Sequence, residues 1–163
     1  QWSEYWDINK EWLLEKSPPN IVRTRFLQKL FPNSYFIKII RHPLAVAYAT
    51  QKWSKTDISS LLDHTLLGYE ILERDSNNLS KHYSIKYEDF VARPIETISN
   101  LFDFLGLPPS KSKLEIKMGI NDKYFAYWKK ELEGKLIMSN KQVDYFEERC
   151  RNFGYSLFVK EKS

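Results

Sequence analysis

Residues 36–53, FIKIIRHPLAVAYATQKW, carry the main signal for the fold of this chain. The stretch opens with a short run of apolar and β-branched residues, reaches Arg41, and continues with a pattern typical of a helix. Pro43 suits the first turn of that helix, because the N–H that a proline lacks would have no helical partner there. The sequence therefore predicts a buried strand over residues 35–40, a helix from Pro43 to about Trp53, and a permanently charged guanidinium at their junction.

The composition is that of a globular chain with a packed core. Hydrophobic residues make up 42% of the 163 residues and aromatic residues 15%, whereas glycine occurs five times. Lysine and arginine exceed aspartate and glutamate by 25 to 21. This small excess does not indicate nucleic-acid binding, although it is compatible with a local anion site. No apolar run approaches the about 18 residues of a membrane-spanning helix, so no transmembrane segment is predicted.

The cysteine and histidine content argues against a disulfide or a metal site. Cys150 is the single cysteine, and together with the three histidines it lacks the spacing of a zinc site. We therefore predict no bound metal, and we expect Cys150 to be a half-buried helix residue.

Helical and strand patterns alternate along the rest of the chain. We predict a loop at EKSPPN (15–20), a second strand over 82–86, and helices over 2–14, 20–31, 57–75, 94–105, 121–132 and 140–153. This alternation predicts an α/β fold with a parallel sheet covered by helices. Two strands are too few for a stable sheet of this kind, so we expect an upstream segment, a partner chain or further strands to complete it.

Arg41 and Lys16 are candidate functional residues from the pattern alone. Ligands of open α/β sheets bind at the carboxyl ends of strands, close to helix N-termini. Arg41 ends the first predicted strand, and its planar guanidinium suits a phosphate or a sulfate. Lys16 lies in the loop before the helix that leads to this strand, where its charge would balance a transferring oxyanion. The alternatives are the polar end of a strand for Arg41 and an ordinary surface lysine for Lys16.

Two segments, EKSPPN…LFPNSYFIKIIRHPLAVAYA and IKYEDFVARPIETISNLFDFLGLP, resemble the sulfotransferases that use 3′-phosphoadenosine-5′-phosphosulfate (PAPS). The resemblance covers roughly residues 11–158, and the closing FGYSL is similar to the ends of bacterial and tyrosylprotein-type members. It implies one domain over residues 1–163 with a three-layer, P-loop NTPase-like parallel sheet flanked by helices. It also implies sulfuryl transfer from PAPS, without a metal, to a hydroxyl or amine of a small-molecule, carbohydrate or protein acceptor.

The resemblance implies roles for individual residues. Arg41 matches the arginine that binds the 3′-phosphate of the nucleotide, and Lys16 matches a lysine that stabilises the transferring sulfuryl group in tyrosylprotein-type members. Tyr87 matches a tyrosine near the adenine and phosphate, with a buried anchor of the strand end as the alternative. Ser112 and Trp128 align with a late serine and a Lys-Trp pair that close over the cofactor.

Two of the departures from the family pattern concern the nucleotide site. Ala49 stands where a serine usually joins the arginine, and Lys52 or Gln51 are the candidates to replace it. The Gly-containing phosphate loop, with its strand, its helix and the general base that follows, has no counterpart, so the fold is expected to be incomplete at the N-terminus. A non-catalytic sulfotransferase-like binding or scaffold domain is therefore the alternative function. The location stays open between the cytoplasm, which a single cysteine fits, and the Golgi lumen of many relatives.

Overall fold

The computed structural model describes residues 4–109, 115–134 and 138–158. In chain order, this part contains a 3₁₀ helix over Pro18–Val22, α1 (Thr24–Leu30), β1 (Phe36–Ile40), α2 (Pro43–Gln51), α3 (Ile58–Ser76), β2 (His82–Lys86), α4 (Tyr87–Ala92), α5 (Pro94–Leu105), α6 (Asp122–Glu133) and α7 (Asn140–Arg151). None of the helices in these ranges combines the length and the apolar character needed to cross a membrane.

The two strands confirm the predicted helix-rich α/β fold with parallel pairing. β1 and β2 pair in parallel from Phe36 opposite His82 to Ile40 opposite Lys86, and α2 and α3 form the connection between them. The sheet has two strands within the described residues, so a three-layer, P-loop NTPase-like arrangement stays a prediction. Completion of the sheet by another segment also stays a prediction.

The two faces of the sheet differ in cover. Lys38 of β1 is 8% exposed and its ammonium lies 3.3 Å from the carboxylate of Glu73 in α3. Neighbouring strand residues point to opposite faces, so Ile39 lies on the other face, where it is 59% exposed. The helix α3 therefore covers one face of β1. On the opposite face Ile39 is exposed, whereas Ile85, its partner in β2, is 8% exposed, and Tyr83 of β2 packs against Phe104 of α5.

Local signals set several helix ends as predicted. Pro43 occupies the first turn of α2. Asp57 caps α3 by accepting a hydrogen bond from the Ser60 N–H at 2.9 Å. Gly106 ends α5 in the left-handed conformation with φ of 67°, which few other residues adopt without strain.

One hydrophobic core lies among α2, α3, α6, α7 and the segment that follows α7. Its members include Leu44, Ala47, Leu62, Leu66, Trp128, Phe146, Cys150 and Leu157. A fully buried leucine contributes about 1.5–3 kcal/mol relative to an exposed one, so this cluster is the main source of stability. Cys150 is fully buried, which corrects the expectation of a half-buried position.

Three predicted elements differ from the structure. The described residues 4–14 contain no α-helix, since their aromatic rings contact separate partners instead of forming one buried stripe: Trp6 lies against Phe31 and Trp12 against Tyr35. The predicted helix over residues 20–31 is divided into the 3₁₀ helix and α1. The short helix α4 follows β2 directly and was not predicted.

Candidate functional site

The backbone of Arg41 is fixed at the carboxyl end of β1 by a tyrosine from α3. The Arg41 N–H donates to the Tyr69 hydroxyl at 3.0 Å, and that hydroxyl donates to the Arg41 carbonyl at 2.8 Å. Burial raises the pKa of Tyr69 to about 12, so the phenol keeps its proton. The chain direction between β1 and α2 is therefore set by a side chain 28 residues away.

The Arg41 side chain is half-buried and is held by a neutral group. Its Nε donates to Oδ1 of Asn121 at 2.8 Å, and its Nη2 donates to the same oxygen. Its Cζ atom lies 4.7 Å from the centre of the Tyr87 ring, a cation–π distance. Within the described residues, Arg41 forms no ion pair with a carboxylate. Its charge is thus positioned without being neutralised by direct contact.

Glu88 orients the amide that holds Arg41. Its Oε1 accepts from Nδ2 of Asn121 at 2.8 Å and from the His42 N–H at 2.9 Å. Its Oε2 accepts from the Tyr155 hydroxyl at 2.9 Å. Because Nδ2 of Asn121 points to Glu88, the amide oxygen is left to face the guanidinium. One carboxylate therefore links the start of α2, the start of α6 and the segment after α7.

His42 is a buried neutral residue beside this network. Burial lowers its pKa, against weaker opposing effects of the Ser156 carbonyl and of Glu88 and Glu147. Its Nε2 lies 3.0 Å from the Ser156 carbonyl, which only accepts, so this nitrogen carries the proton. Its ring packs against Phe125 at a centroid distance of 4.8 Å. The imidazole thus fastens the β1–α2 junction to the C-terminal segment.

Of the predicted site residues, the structure brings Arg41 and Tyr87 into contact. Lys16 is exposed just before the 3₁₀ helix, and no contact joins it to Arg41 or Tyr87. Trp128 is 2% exposed in the core, where its indole N–H donates to the Leu157 carbonyl at 2.9 Å. In this arrangement its ring offers almost no surface to a ligand, and its predicted contact with the donor stays a prediction. Ser112 lies outside the described residues.

Sequence reasoning missed Asn121, Glu88 and Tyr69. The sequence contained a signal for Glu88, because this residue directly follows Tyr87 in the YEDF motif at a strand end. It contained none for Asn121 and Tyr69, since each sits in or beside a helix with no pattern that relates it to Arg41. In the residues that the structure describes, no group of three or more histidine, cysteine, aspartate or glutamate side chains is arranged to hold a metal ion.

Comparison with protein-family models matches residues 2–111 to a model described as Sulfotransferase family. The matched range is 110 of the 163 residues and contains Lys16, Arg41 and Tyr87. It ends before Ser112 and Trp128, and it does not reach α6 or α7. Searches of curated proteins and of solved structures gave no match.

Proposed function

The chain belongs to the sulfotransferase family, and we propose that it uses PAPS as the donor of a sulfuryl group for a hydroxyl or amine acceptor. The observation that carries the proposal is the placement of Arg41. Its guanidinium stands at the carboxyl end of β1, over Tyr87, with an amide instead of a carboxylate as its hydrogen-bonding partner. An arginine in that position is suited to a phosphate of the nucleotide.

The hydrogen-bonding capacity of Arg41 supports this role. A guanidinium has five N–H groups. In Arg41, one N–H of Nε and one of Nη2 donate hydrogen bonds to Oδ1 of Asn121. The remaining N–H groups have no recorded partner in the described part of the chain. A phosphate oxygen is a strong acceptor for them, and the charge-assisted bonds so formed are roughly twice as strong as neutral ones.

Two helix N-termini next to Arg41 also favour an anion. α2 begins two residues after Arg41, and Asn121 is the residue before the first turn of α6. The unpaired N–H groups of a helix start carry a partial positive charge that stabilises a nearby anion. We propose that the 3′-phosphate of PAPS binds here, with Tyr87 contributing a ring face beside the nucleotide.

The proposed reaction is an in-line transfer. The acceptor oxygen or nitrogen forms a bond to sulfur, the bond between sulfur and the 5′-phosphate oxygen breaks, and adenosine 3′,5′-bisphosphate leaves with that electron pair. The acceptor gives up its proton to a base that we do not assign. Lys16 is the proposed cation that balances negative charge on the transferring group. Positioning and charge stabilisation dominate such transfers, as they do in phosphoryl transfer.

Binding of adenosine 3′,5′-bisphosphate tests the donor assignment. We expect calorimetry to detect binding to the wild type and a loss of about a hundredfold in affinity for Arg41→Ala, which removes at least two charge-assisted bonds. Arg25→Ala is the matched control, because Arg25 is exposed on α1 and forms no ion pair or hydrogen bond of its side chain with the described residues. Circular dichroism verifies that each variant is folded. Absent binding by the folded chain, or equal binding by Arg41→Ala, would instead indicate a non-catalytic sulfotransferase-like domain.

Lys16 is tested separately, by turnover. Lys16→Ala should lower the rate of sulfuryl transfer, with water or an added acceptor, while leaving affinity for adenosine 3′,5′-bisphosphate unchanged. Lys29→Ala provides an exposed control on α1. Unchanged turnover in Lys16→Ala would remove Lys16 from the proposed mechanism.

A further inference from the structure

Three cationic side chains converge on the ring of Tyr124. Tyr124 is 4% exposed, and the centre of its ring lies 5.7 Å from Cζ of Arg41, 5.5 Å from Nζ of Lys52 and 5.0 Å from Nζ of Lys123. Lys52 follows the last residue of α2, whereas Lys123 lies in the first turn of α6. Packing of α2 against α6 therefore gathers charges that are far apart in the sequence around one aromatic ring.

This cluster lacks a directly paired counter-charge. None of the three cations forms an ion pair among the residues that the structure describes. Of the nearby acids, Glu88 accepts three hydrogen bonds, and the carboxylate of Asp122 lies over Gly119. Glu131 lines a cavity together with Lys52, but no ion pair joins these two described residues. Like charges that share a small region repel one another, so the arrangement favours occupation by an anion.

The helix α2 contributes hydrogen-bonding capacity to this region through Lys52. Ala49, a turn earlier, has a methyl side chain that packs against the hydrophobic core. The Gln51 side-chain amide is turned toward the Thr56 carbonyl, to which it donates at 3.3 Å. Lys52 is exposed, and its flexible four-carbon stem allows the ammonium to move from the Tyr124 ring onto a ligand held by Arg41. Lys123 is also exposed and has the same freedom.

We infer that Lys52 and Lys123 are two further binding residues, which join Arg41 in binding the 3′-phosphate monoester of the donor nucleotide. This inference rests on the proposed function and adds the residues that select a 3′-phosphorylated nucleotide over one with a free 3′-hydroxyl. A phosphate monoester carries nearly two negative charges at neutral pH, so a three-cation site matches it better than one guanidinium alone.

The test compares two nucleotides that differ in the 3′-phosphate. Adenosine 3′,5′-bisphosphate and adenosine 5′-monophosphate are titrated into the wild type, Lys52→Ala, Lys123→Ala and the double variant. We expect each single substitution to weaken bisphosphate binding about tenfold, which corresponds to one lost charge-assisted bond. Binding of the monophosphate should be the same in all four proteins, whatever its strength. Lys52→Arg and Lys123→Arg should keep most of the affinity.

Matched controls separate the assigned lysines from the general charge of the protein. Lys55 is exposed three residues after Lys52, and Lys141 is exposed on α7. Lys55→Ala and Lys141→Ala should bind the bisphosphate as the wild type does. If Arg41→Ala weakens binding but Lys52→Ala and Lys123→Ala behave like these controls, the lysine assignment is overturned and the proposed function stands. If the folded wild type binds no bisphosphate, the proposed function and this inference both fail.

Discussion

The hydroxyl of Tyr69 is bonded to both polar groups of the Arg41 backbone, as acceptor from the N–H at 3.0 Å and as donor to the carbonyl at 2.8 Å. One side chain of α3 thus provides hydrogen-bonding partners for the backbone N–H and carbonyl of Arg41, which lies between β1 and α2. The same contact ties the position of the proposed phosphate-binding guanidinium to the core, since Tyr69 is 5% exposed.

Removal of this hydroxyl should destabilise the fold. Tyr69→Phe leaves the N–H and the carbonyl of Arg41 without their partner in a partly buried position, and we expect the free energy of unfolding to fall by about 1–3 kcal/mol. Urea denaturation measures the change. Tyr5→Phe is the control, because Tyr5 is 85% exposed, and it should match the wild type. Equal stability of the two variants would contradict the anchoring role.

Asn121 should govern how well Arg41 receives an anion. Asn121→Ala removes the acceptor for two guanidinium N–H bonds, so the side chain loses its fixed direction, and we expect bisphosphate affinity to fall about tenfold. Asn121→Asp should weaken binding more, because a carboxylate there neutralises Arg41. Calorimetry measures both variants, with Asn78→Ala as an exposed control. Stronger binding by Asn121→Asp than by Asn121→Ala would exclude this role.

His42 should make stability depend on pH near neutrality. Burial holds its pKa in the folded chain below the value of about 6.5 expected after unfolding. The unfolded chain therefore binds more protons in the window that extends downward from about pH 6.5, and stability falls as the pH falls through it. Above about pH 6.5 both states are neutral at this residue, and the effect vanishes.

The measurement compares the free energy of unfolding at pH 7.5 and pH 5.5. His42→Gln keeps a donor for the Ser156 carbonyl but does not titrate, so it should lose less stability between the two pH values than the wild type. His64→Gln, at an exposed position, should keep the wild-type slope. An unchanged slope in His42→Gln would show that another group controls this window.

Cys150 should be unreactive in the folded protein. Its side chain is fully buried, and burial, with a smaller contribution from Glu147, raises its pKa to about 12. The thiolate is the reactive form, so both access and ionisation are suppressed. We expect a thiol reagent at pH 8 to label the native chain only at the rate of unfolding, and the denatured chain at once. Rapid native labelling would contradict the buried position.

Local sequence patterns were enough to predict the elements whose structure depends on neighbouring residues. Both strands, the start of α2 at Pro43, the cap of α3 at Asp57 and the end of α5 at Gly106 followed from local patterns, because a proline ring, a capping carboxylate and a left-handed glycine act within one turn. The same reasoning was wrong for residues 4–14, where it predicted a helix. Their aromatic spacing suited a helix, but their rings found partners on other elements, and such contacts override local preference.

The contacts that hold Arg41 could not be predicted from local patterns, because they join residues that are far apart in the sequence. Its partner Asn121 is 80 residues away from Arg41, and Glu88, which orients that amide, is 33 residues from Asn121. The burial of Trp128 and the convergence of Lys52 and Lys123 on Tyr124 likewise depend on how α6 packs against α2. No local pattern encodes these contacts. Each helix follows from the periodicity of its own residues, but its polar ends meet those of another helix only when the two helices pack their apolar faces together.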